Sequence, residues 1–330
     1  MKSIALWLTA AVMLWAADIP AWFLQRSYQP AKSYEVIGYG MGKTLKEASL
    51  HAKEDIAGQL MTEISSTKKS RLQSDSDELT RSLDIEIDTQ VHTVLSDLKP
   101  LKTQKLGEKF FVALKYENLK LSQRLVRKAE KIVCLRRPLN PYLAATPMYR
   151  EIKKAAGCDI DVSLVRKDRA WFIAYDTVLL PIAPVDYKDL FVSVKHSPVT
   201  FGVSKSPLRE GDRFFFTLHA SERGYATLLD VYANGMTAVV EPSFLMRKGQ
   251  TYRLPSEDAQ SNFEAALLEE GEPTYDLYVV LFSRRPIDVS RFEATGDTLL
   301  SGEDAYMADR LMRLTATYPF TTLFVRTKPR

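Results

Sequence analysis

The C-terminal half contains the segment YATLLDVYANGMTAVVE, from Tyr225 to Glu241, which carries the clearest fold signal of the chain. Residues 225–232 and 236–241 are rich in aromatic, Val, Leu and Thr side chains, which is typical of β-strands. Between them, Asn234-Gly235 is the dipeptide most favoured in two-residue hairpin turns, because such turns need positive φ angles. The stretch therefore predicts an antiparallel hairpin.

The flanking residues extend this hairpin into a β-rich C-terminal domain over 192–330. Further strands are predicted at 213–218 and 275–282, with turns at 207–212 and 222–224. A helix around 305–314 and a terminal strand at 321–327 complete this part of the chain. We expect an antiparallel sandwich or a barrel-like domain.

A short α/β middle unit is predicted over 134–191. Thr146-Pro147 is a favourable N-cap and first-turn pair for a helix that ends at Gly157. Two strands are expected after it, at 160–165 and 170–179.

Cys134 and Cys158 are the two cysteines of the chain. Two cysteines at moderate spacing form a natural pair in an oxidising compartment, and we predict a disulfide between them. It would restrict the unfolded chain by roughly 3 kcal/mol on the loop-entropy model. The alternative is two unpaired, partly buried thiols; a metal site lacks the usual four ligands.

The N-terminal part, 31–133, is predicted to be a small domain in which helices pack on a sheet. A strand at 34–40 precedes Thr44-Leu45-Lys46-Glu47, a capping box that begins a helix. Its apolar positions recur at steps of three or four: Leu45, Ala48, Ala52, Ile56, Leu60 and Ile64. The whole chain is therefore assigned to the α+β class.

The rest of this domain follows from two further patterns. Leu83, Ile85 and Ile87 alternate with acids, the period-two pattern of a half-buried strand, and 101–116 reads as a hairpin around Gly107. A second amphipathic helix is expected to carry Leu121, Leu125, Ala129 and Ile132.

Gly38, Gly40 and Gly42 lie between the first strand and the first helix. A glycine-rich loop before a helix can bind a phosphate, but this spacing follows neither the dinucleotide nor the Walker pattern. We interpret these glycines as permitting a tight turn from strand to helix.

Residues 1–17 have the pattern of a secretory signal peptide. Lys2 supplies the positive charge, residues 4–15 are almost wholly apolar, and Ala16-Ala17 offers a cleavage site before Asp18. The alternative is an uncleaved N-terminal anchor. We therefore expect export through the general secretory route to the periplasm or the outer envelope.

Composition and motifs argue against several functions. The net charge of +4 over 330 residues, with bases and acids interspersed, disfavours nucleic acid as a partner. The four histidines lie in separate segments without metal-ligand spacing, and there is no nucleophile-elbow motif. Glu269-Glu270-Gly271-Glu272 is better explained as an acidic turn than as a cation site. We predict no catalytic, cofactor-binding or metal-binding residues, and no enzymatic activity.

Two segments suggest relatives. Residues 36–40 (VIGYG), 45–48 (LKEA) and 52–57 (AKEDIA) resemble the small membrane-associated lipoprotein family of Helicobacter and the N-terminal unit of flagellar motor proteins of the FlgT and FlgP kind. The chain lacks a lipobox cysteine at the cleavage point, so the resemblance does not extend to a lipid anchor. Residues 208–212 (LREGD), 224–231 (GYATLLDV) and 252–255 (YRLP) resemble domain-of-unknown-function family 4384, a β-rich module of bacterial envelope proteins.

These resemblances imply an envelope protein that acts through protein contacts, in a flagellar motor-associated or cell-surface assembly. The expected partners are envelope or flagellar motor proteins, with a second copy of the chain and a peripheral membrane contact as alternatives. The candidate interaction surface is aromatic: Phe215, Trp171, Tyr225 and Tyr232. The competing hypothesis is a periplasmic module that binds a small ligand or glycan. A pocket lined by Trp171, Tyr225 or Tyr232 with converging polar groups would favour it. A hydrolase with scattered catalytic residues is a third alternative.

Overall fold

The computed structural model describes residues 19–69, 98–167, 170–192, 196–256, 262–289 and 305–330. The chain is α+β, with its β-rich part in the C-terminal half. It divides into two compact units, Met1–Leu119 and Lys120–Arg330. The predicted signal peptide, the predicted strand at 83–88 and His92 lie outside the described residues.

The first unit contains a three-stranded antiparallel sheet and a long helix. Its elements are α1 (Ala21–Leu24), β1 (Glu35–Gly42), α2 (Leu45–Lys69), β2 (Lys99–Leu106) and β3 (Lys109–Glu117). The strand order is β1-β3-β2, which confirms the hairpin predicted around Gly107.

Helix α2 covers one face of this sheet. Ala48, Ala52, Ile56 and Leu60 are buried against Val112 and other residues of the sheet, as the periodicity predicts. Leu45 does not belong to this buried stripe, because it lies in the first turn and is 48% exposed. The other face of the sheet is covered by aromatic residues that follow the predicted signal peptide: Trp22, Phe23 and Tyr28.

The structural role of the glycines of β1 differs from the predicted one. Gly38, Gly40 and Gly42 lie inside the strand, not in a turn. A Cβ at Gly40 would overlap the carbonyl oxygen of Ala48 and the backbone nitrogen of Ala52. These glycines therefore allow the backbone of α2 to approach the strand closely.

The second unit begins earlier than the predicted boundary at residue 134. It contains α3 (Leu121–Lys128), α4 (Pro141–Ala144), α5 (Pro147–Ala156), a 3₁₀ helix (Pro184–Leu190) and α6 (Ala305–Thr317). Helix α3, which we had assigned to the N-terminal domain, buries Leu121 and Leu125 in the core of the second unit. It ends at Lys128, so Ala129 and Ile132 follow the helix and do not belong to it.

Helix α5 confirms the predicted caps. The Thr146 hydroxyl accepts a hydrogen bond from the backbone N–H of Tyr149 at 3.2 Å. Gly157 ends the helix with a φ of 79°, a left-handed conformation that favours glycine.

The strands of the second unit form several sheets. They are β4 (Ser163–Lys167), β5 (Ala170–Tyr175), β6 (Val178–Pro181), β7 (Val199–Val203), β8 (Leu208–Arg209), β9 (Arg213–Phe214), β10 (Phe216–Ala220), β11 (Gly224–Val231), β12 (Thr237–Met246), β13 (Thr251–Leu254), β14 (Phe263–Glu264), β15 (Thr274–Ser283) and β16 (Phe320–Lys328). The largest sheet has the order β12-β11-β15-β16-β8 and contains the predicted hairpin as β11 and β12. The strand predicted at 170–179 is two strands, because Asp176 turns the chain with a φ of 51°.

The five-stranded sheet is buried on both faces. Leu229, Val231 and Leu277 belong to a core shared with α3, α5 and β5, whereas Leu228 and Val280 belong to a second core shared with β7 and β10. Residues of the predicted middle unit and of the predicted C-terminal domain thus occupy one common core, and the structure does not separate them at residue 191.

Cys134 and Cys158 form the predicted disulfide, with their Cα atoms 5.6 Å apart. It joins the segment after α3 to the segment after α5. A disulfide fits an exported protein. Within the described parts of the chain, no helix combines the length and apolarity that a bilayer crossing requires.

Candidate functional site: a cavity with two buried carboxylates

The candidate site is a cavity of about 410 Å³ in the second unit, on the β7/β10 side of the five-stranded sheet. Its polar lining residues are Asp230, Tyr232, Glu264, Asp276, Tyr278 and Thr327. Its apolar lining includes Leu208, Phe214, Phe216, Ala238, Val240 and Phe263.

The four central polar residues come from one short pattern that occurs twice. Asp230-Val231-Tyr232 ends β11, and Asp276-Leu277-Tyr278 lies in β15. The two strands are antiparallel neighbours, and Asp230 pairs with Tyr278. Continuing this register by two residues places Tyr232 opposite Asp276. Because side chains alternate along a strand, all four project from the same face of the sheet.

Both carboxylates are removed from water. Asp230 is 4% exposed and Asp276 is 7% exposed. One oxygen of each, Oδ1, has no hydrogen-bond partner. Leaving a buried polar atom unpaired costs about 1 to 3 kcal/mol, and more if the group is charged, so a hydrogen-bond donor that reached these carboxylates would be favoured.

Burial changes the acidity of this group of residues. Burial and the neighbouring Asp276 carboxylate raise the pKa of Asp230 well above its ordinary value, although a hydrogen bond from Tyr278 opposes the rise. Burial raises the pKa of Asp276 to about 7. Burial and the nearby carboxylates also raise the pKa of Tyr232 and Tyr278, so both phenols stay protonated as hydrogen-bond donors.

An aromatic wall adjoins the carboxylates. The ring of Phe216 lies 4.6 Å from that of Tyr278, between centroids, and 5.3 Å from that of Phe214. Phe263 packs against both phenylalanines, at 5.6 and 5.7 Å. The cavity therefore combines an aromatic wall with a group of polar side chains, two features that small-ligand sites share.

The charged residues among the described lining of the cavity are all acidic. Among the described residues that line it, three are acidic and none is basic. Within the described ranges there is also no cluster of three or more His, Cys, Asp and Glu side chains that could hold a metal ion. None of the described histidines lines the cavity: in the first unit the ring of His51 lies beside the Met41 carbonyl, and in the second unit that of His219 lies beside Thr251.

The predicted aromatic surface is not a single surface. Tyr232 lines the cavity, but Trp171 is 1% exposed and packs against the Gly235 turn and Tyr187. Trp171 is therefore a core residue and cannot contact a partner. Tyr225 is half-buried and lies outside the cavity lining. Phe215 is also half-buried, with the guanidinium of Arg253 stacked 4.1 Å from its ring centroid.

Asp230 and Asp276 are not among the residues that the sequence predicts for the site. The available signal was the repeated Asp-x-Tyr pattern, in which a carboxylate interrupts an otherwise apolar strand. Such a residue is unusual at a core position unless it is paired. The signal was incomplete because only the pairing of β11 with β15 brings the two patterns together.

Comparison with known proteins adds no relative: no protein-family model, curated protein or solved structure matches the chain.

Proposed function

We propose that the second unit is a small-ligand-binding module of an exported, non-enzymatic envelope protein, located in the periplasm or the outer envelope. The observation that carries this proposal is the cavity, with two buried carboxylates that have unpaired oxygens beside an aromatic wall. The volume of about 410 Å³ lies within the common range for small-molecule sites.

The unpaired oxygens support binding more than a purely structural role. A core that only needed to be stable would gain from apolar residues at these positions, because an unpaired buried acid opposes folding. A ligand that donates hydrogen bonds would remove that cost on binding. Polar groups held at a cost in the empty protein are a common feature of binding sites.

The test is a fragment screen on the full mature chain by ligand-observed NMR, repeated on two variants. Ala238 lines the cavity and is the cross-strand neighbour of Asp230. The larger side chain of Ala238→Phe should therefore fill the cavity and abolish the binding of cavity ligands. Thr217→Phe is the control, because Thr217 is exposed on β10. A screen without hits, or hits that bind equally to Ala238→Phe, would overturn the proposal.

A second candidate function, assembly with other envelope or flagellar motor proteins, is favoured by the Phe215–Arg253 stack. Arg and aromatic side chains are enriched at protein interfaces, and Arg253 is held in place by Asn262 at 2.7 Å. The test is crosslinking in intact cells followed by purification, comparing the natural chain with Phe215→Ser. Loss of a specific partner in the variant would support this function, and recovery of a clean monomer from the natural chain would contradict it.

A further inference from the structure

We infer that the ligand of this cavity is a protonated amine with an apolar, aromatic-sized body. This inference rests on the proposed function and specifies its ligand class. It follows from three properties of the site: its charge, its unpaired acceptors and its shape.

The charge of the lining favours a cation. Asp230, Asp276 and Glu264 line the cavity, and no basic side chain is present among the described lining residues. An anionic ligand would be repelled by the carboxylates. A cation would be attracted strongly, because charges interact more strongly in a buried site than in water.

The unpaired oxygens favour an ammonium group over a neutral ligand. An ammonium has three N–H donors and no acceptor. Asp230 and Asp276 each present an oxygen without a partner, and the two residues are diagonal neighbours on one sheet face. One ammonium could therefore donate to both carboxylates, whereas a hydroxyl can donate only one hydrogen bond.

The aromatic wall favours a ligand with an apolar body. Phe214, Phe216 and Phe263 form a continuous cluster that reaches the carboxylates through Tyr278. A free metal ion or a small hydrated cation would leave this wall without a partner. An aryl-alkyl ammonium would place its ring on the wall and its charge beside the acids, where the Tyr rings also attract a cation.

Binding should also release a proton. The titratable groups that face the site are Asp230 and Tyr232 from β11, Asp276 and Tyr278 from β15, and Glu264 from β14. In the empty cavity two adjacent buried acids resist joint ionisation, so one of them holds a proton near neutral pH. The positive charge of the entering ammonium favours the ionised form of this acid, so its proton passes to the buffer. One positive charge enters as the ammonium and one leaves as the proton, and the site then holds two carboxylates around one ammonium.

The experiment uses phenethylamine as the probe and titration calorimetry on the full mature chain at pH 7. Two matched probes control for shape: 2-phenylethanol is neutral and 3-phenylpropanoate is anionic. We expect phenethylamine to bind at least tenfold more tightly than either control. The apparent binding enthalpy should also change between two buffers of different ionisation enthalpy, since a proton is released. This comparison needs no variant and so does not depend on the folding of one.

Variants then locate the effect. Asp230→Asn and Asp276→Asn should each remove the preference for the amine over the alcohol, while Glu222→Gln, on an exposed turn, should leave it unchanged. Equal binding of amine and alcohol, both abolished by Ala238→Phe, would overturn this inference and leave the proposed function intact. Absence of binding by all three probes, together with an empty fragment screen, would overturn both.

Discussion

Each unit contains a sheet that is buried on both faces, but the buried carboxylates of the two units have different partners and opposite pKa shifts. In the first unit, Glu35 accepts hydrogen bonds from Lys115 at 3.1 Å and from the backbone N–H of Ala31 at 2.8 Å, which lower its pKa. In the second unit, burial raises the pKa values of both Asp230 and Asp276, and the neighbouring Asp276 carboxylate adds to the rise at Asp230. A paired acid supports folding, whereas two adjacent acids without a base oppose it.

The difference separates a unit whose buried acid is paired with a base from a unit whose buried acids line the cavity of the proposed ligand site. The first unit gains its stability from close contact between backbones, with its buried acid neutralised by a lysine. The second unit has a larger core and a disulfide, and this stability can offset an unfavourable group at a binding site. Four predictions test this contrast.

The largest effect is expected from Gly40→Ala in the first unit. The added methyl group would overlap the backbone of α2 at Ala48 and Ala52, and backbone atoms cannot rotate away. We expect a loss of about 4 kcal/mol or more in the free energy of unfolding of this unit. Hydrogen exchange, resolved by peptide, would show the loss in residues 35–60.

The matched control is Gly58→Ala. Gly58 lies in α2, where a Cβ would meet nothing within 4 Å. Alanine should therefore stabilise the helix by about 0.5 to 1 kcal/mol. Similar hydrogen exchange in the two variants would contradict the close-packing explanation.

The next effect concerns the disulfide of the second unit. The double variant Cys134→Ser/Cys158→Ser should lose about 3 kcal/mol, since the unfolded chain regains the freedom of the closed loop. Chemical denaturation followed by the fluorescence of the buried Trp171 would measure it. Reduction of the natural chain should reproduce the shift, and an unchanged denaturation midpoint would show that the bond does not stabilise the fold.

The third prediction is an opposite pH dependence of the two units. Burial favours the protonated form of Asp276 in the folded state, so the pKa of this residue is raised. The stability that Asp276 contributes is therefore fully present below its ordinary pKa of 3.8 and is lost as the pH rises through about 7. Between pH 5 and pH 8, ionisation of this residue should reduce the stability of the second unit by roughly 2 to 3 kcal/mol. Asp276→Asn, which resembles the protonated acid, should flatten this dependence.

Glu35 should act in the reverse direction. Its pKa is lowered from the ordinary value of 4.5. The stability that Glu35 contributes is therefore present above pH 4.5 and is lost as the pH falls through the lower pKa of the folded state. Glu35→Gln should therefore reduce the acid sensitivity of the first unit. Hydrogen exchange of each unit at pH 5 and pH 8, corrected for the intrinsic exchange rate, would check both variants. Parallel pH dependence in the two units would contradict the contrast.

The smallest effect is expected from Thr44→Ala at the start of α2. The Thr44 hydroxyl accepts a hydrogen bond from the N–H of Glu47 at 3.1 Å, and Glu47 accepts one from the N–H of Lys43 at 2.7 Å. Removing the cap should cost about 1 kcal/mol. Lys46→Ala, an exposed change in the same turn, is the control and should be nearly neutral.

Local patterns made much of the fold predictable. The Asn234-Gly235 turn, the Thr146 and Gly157 caps of α5 and the buried stripe of α2 each depend on residues within a few positions of one another. The disulfide was predictable for a different reason, because two cysteines allow only one pairing. Where the predictions failed, a partner distant in sequence decided the outcome. Leu121 and Leu125 mark a helix in the sequence but not which unit that helix joins.

The candidate site illustrates the same limit. Tyr232 was selected as an aromatic residue that could line a pocket, and it does line the cavity. Trp171 was selected on the same grounds, yet it is a core residue, because the sequence does not show that the 234–235 turn covers it. Phe215 was expected on the face opposite the core; it lies between β9 and β10 and is half-buried, whereas Phe214 and Phe216 are buried.

Propensity, periodicity and turn chemistry act over short distances, so the α+β class, the main hairpin, the helix caps and the cysteine pair follow from the residues alone. That Asp230 and Asp276, 46 positions apart, share a cavity follows only from how the strands pair. The reason is that the register of β11 against β15 fixes which side chains are neighbours and how far water is excluded from them. The two acids have ordinary chemistry in the unfolded chain, and they become a candidate binding site only through that pairing.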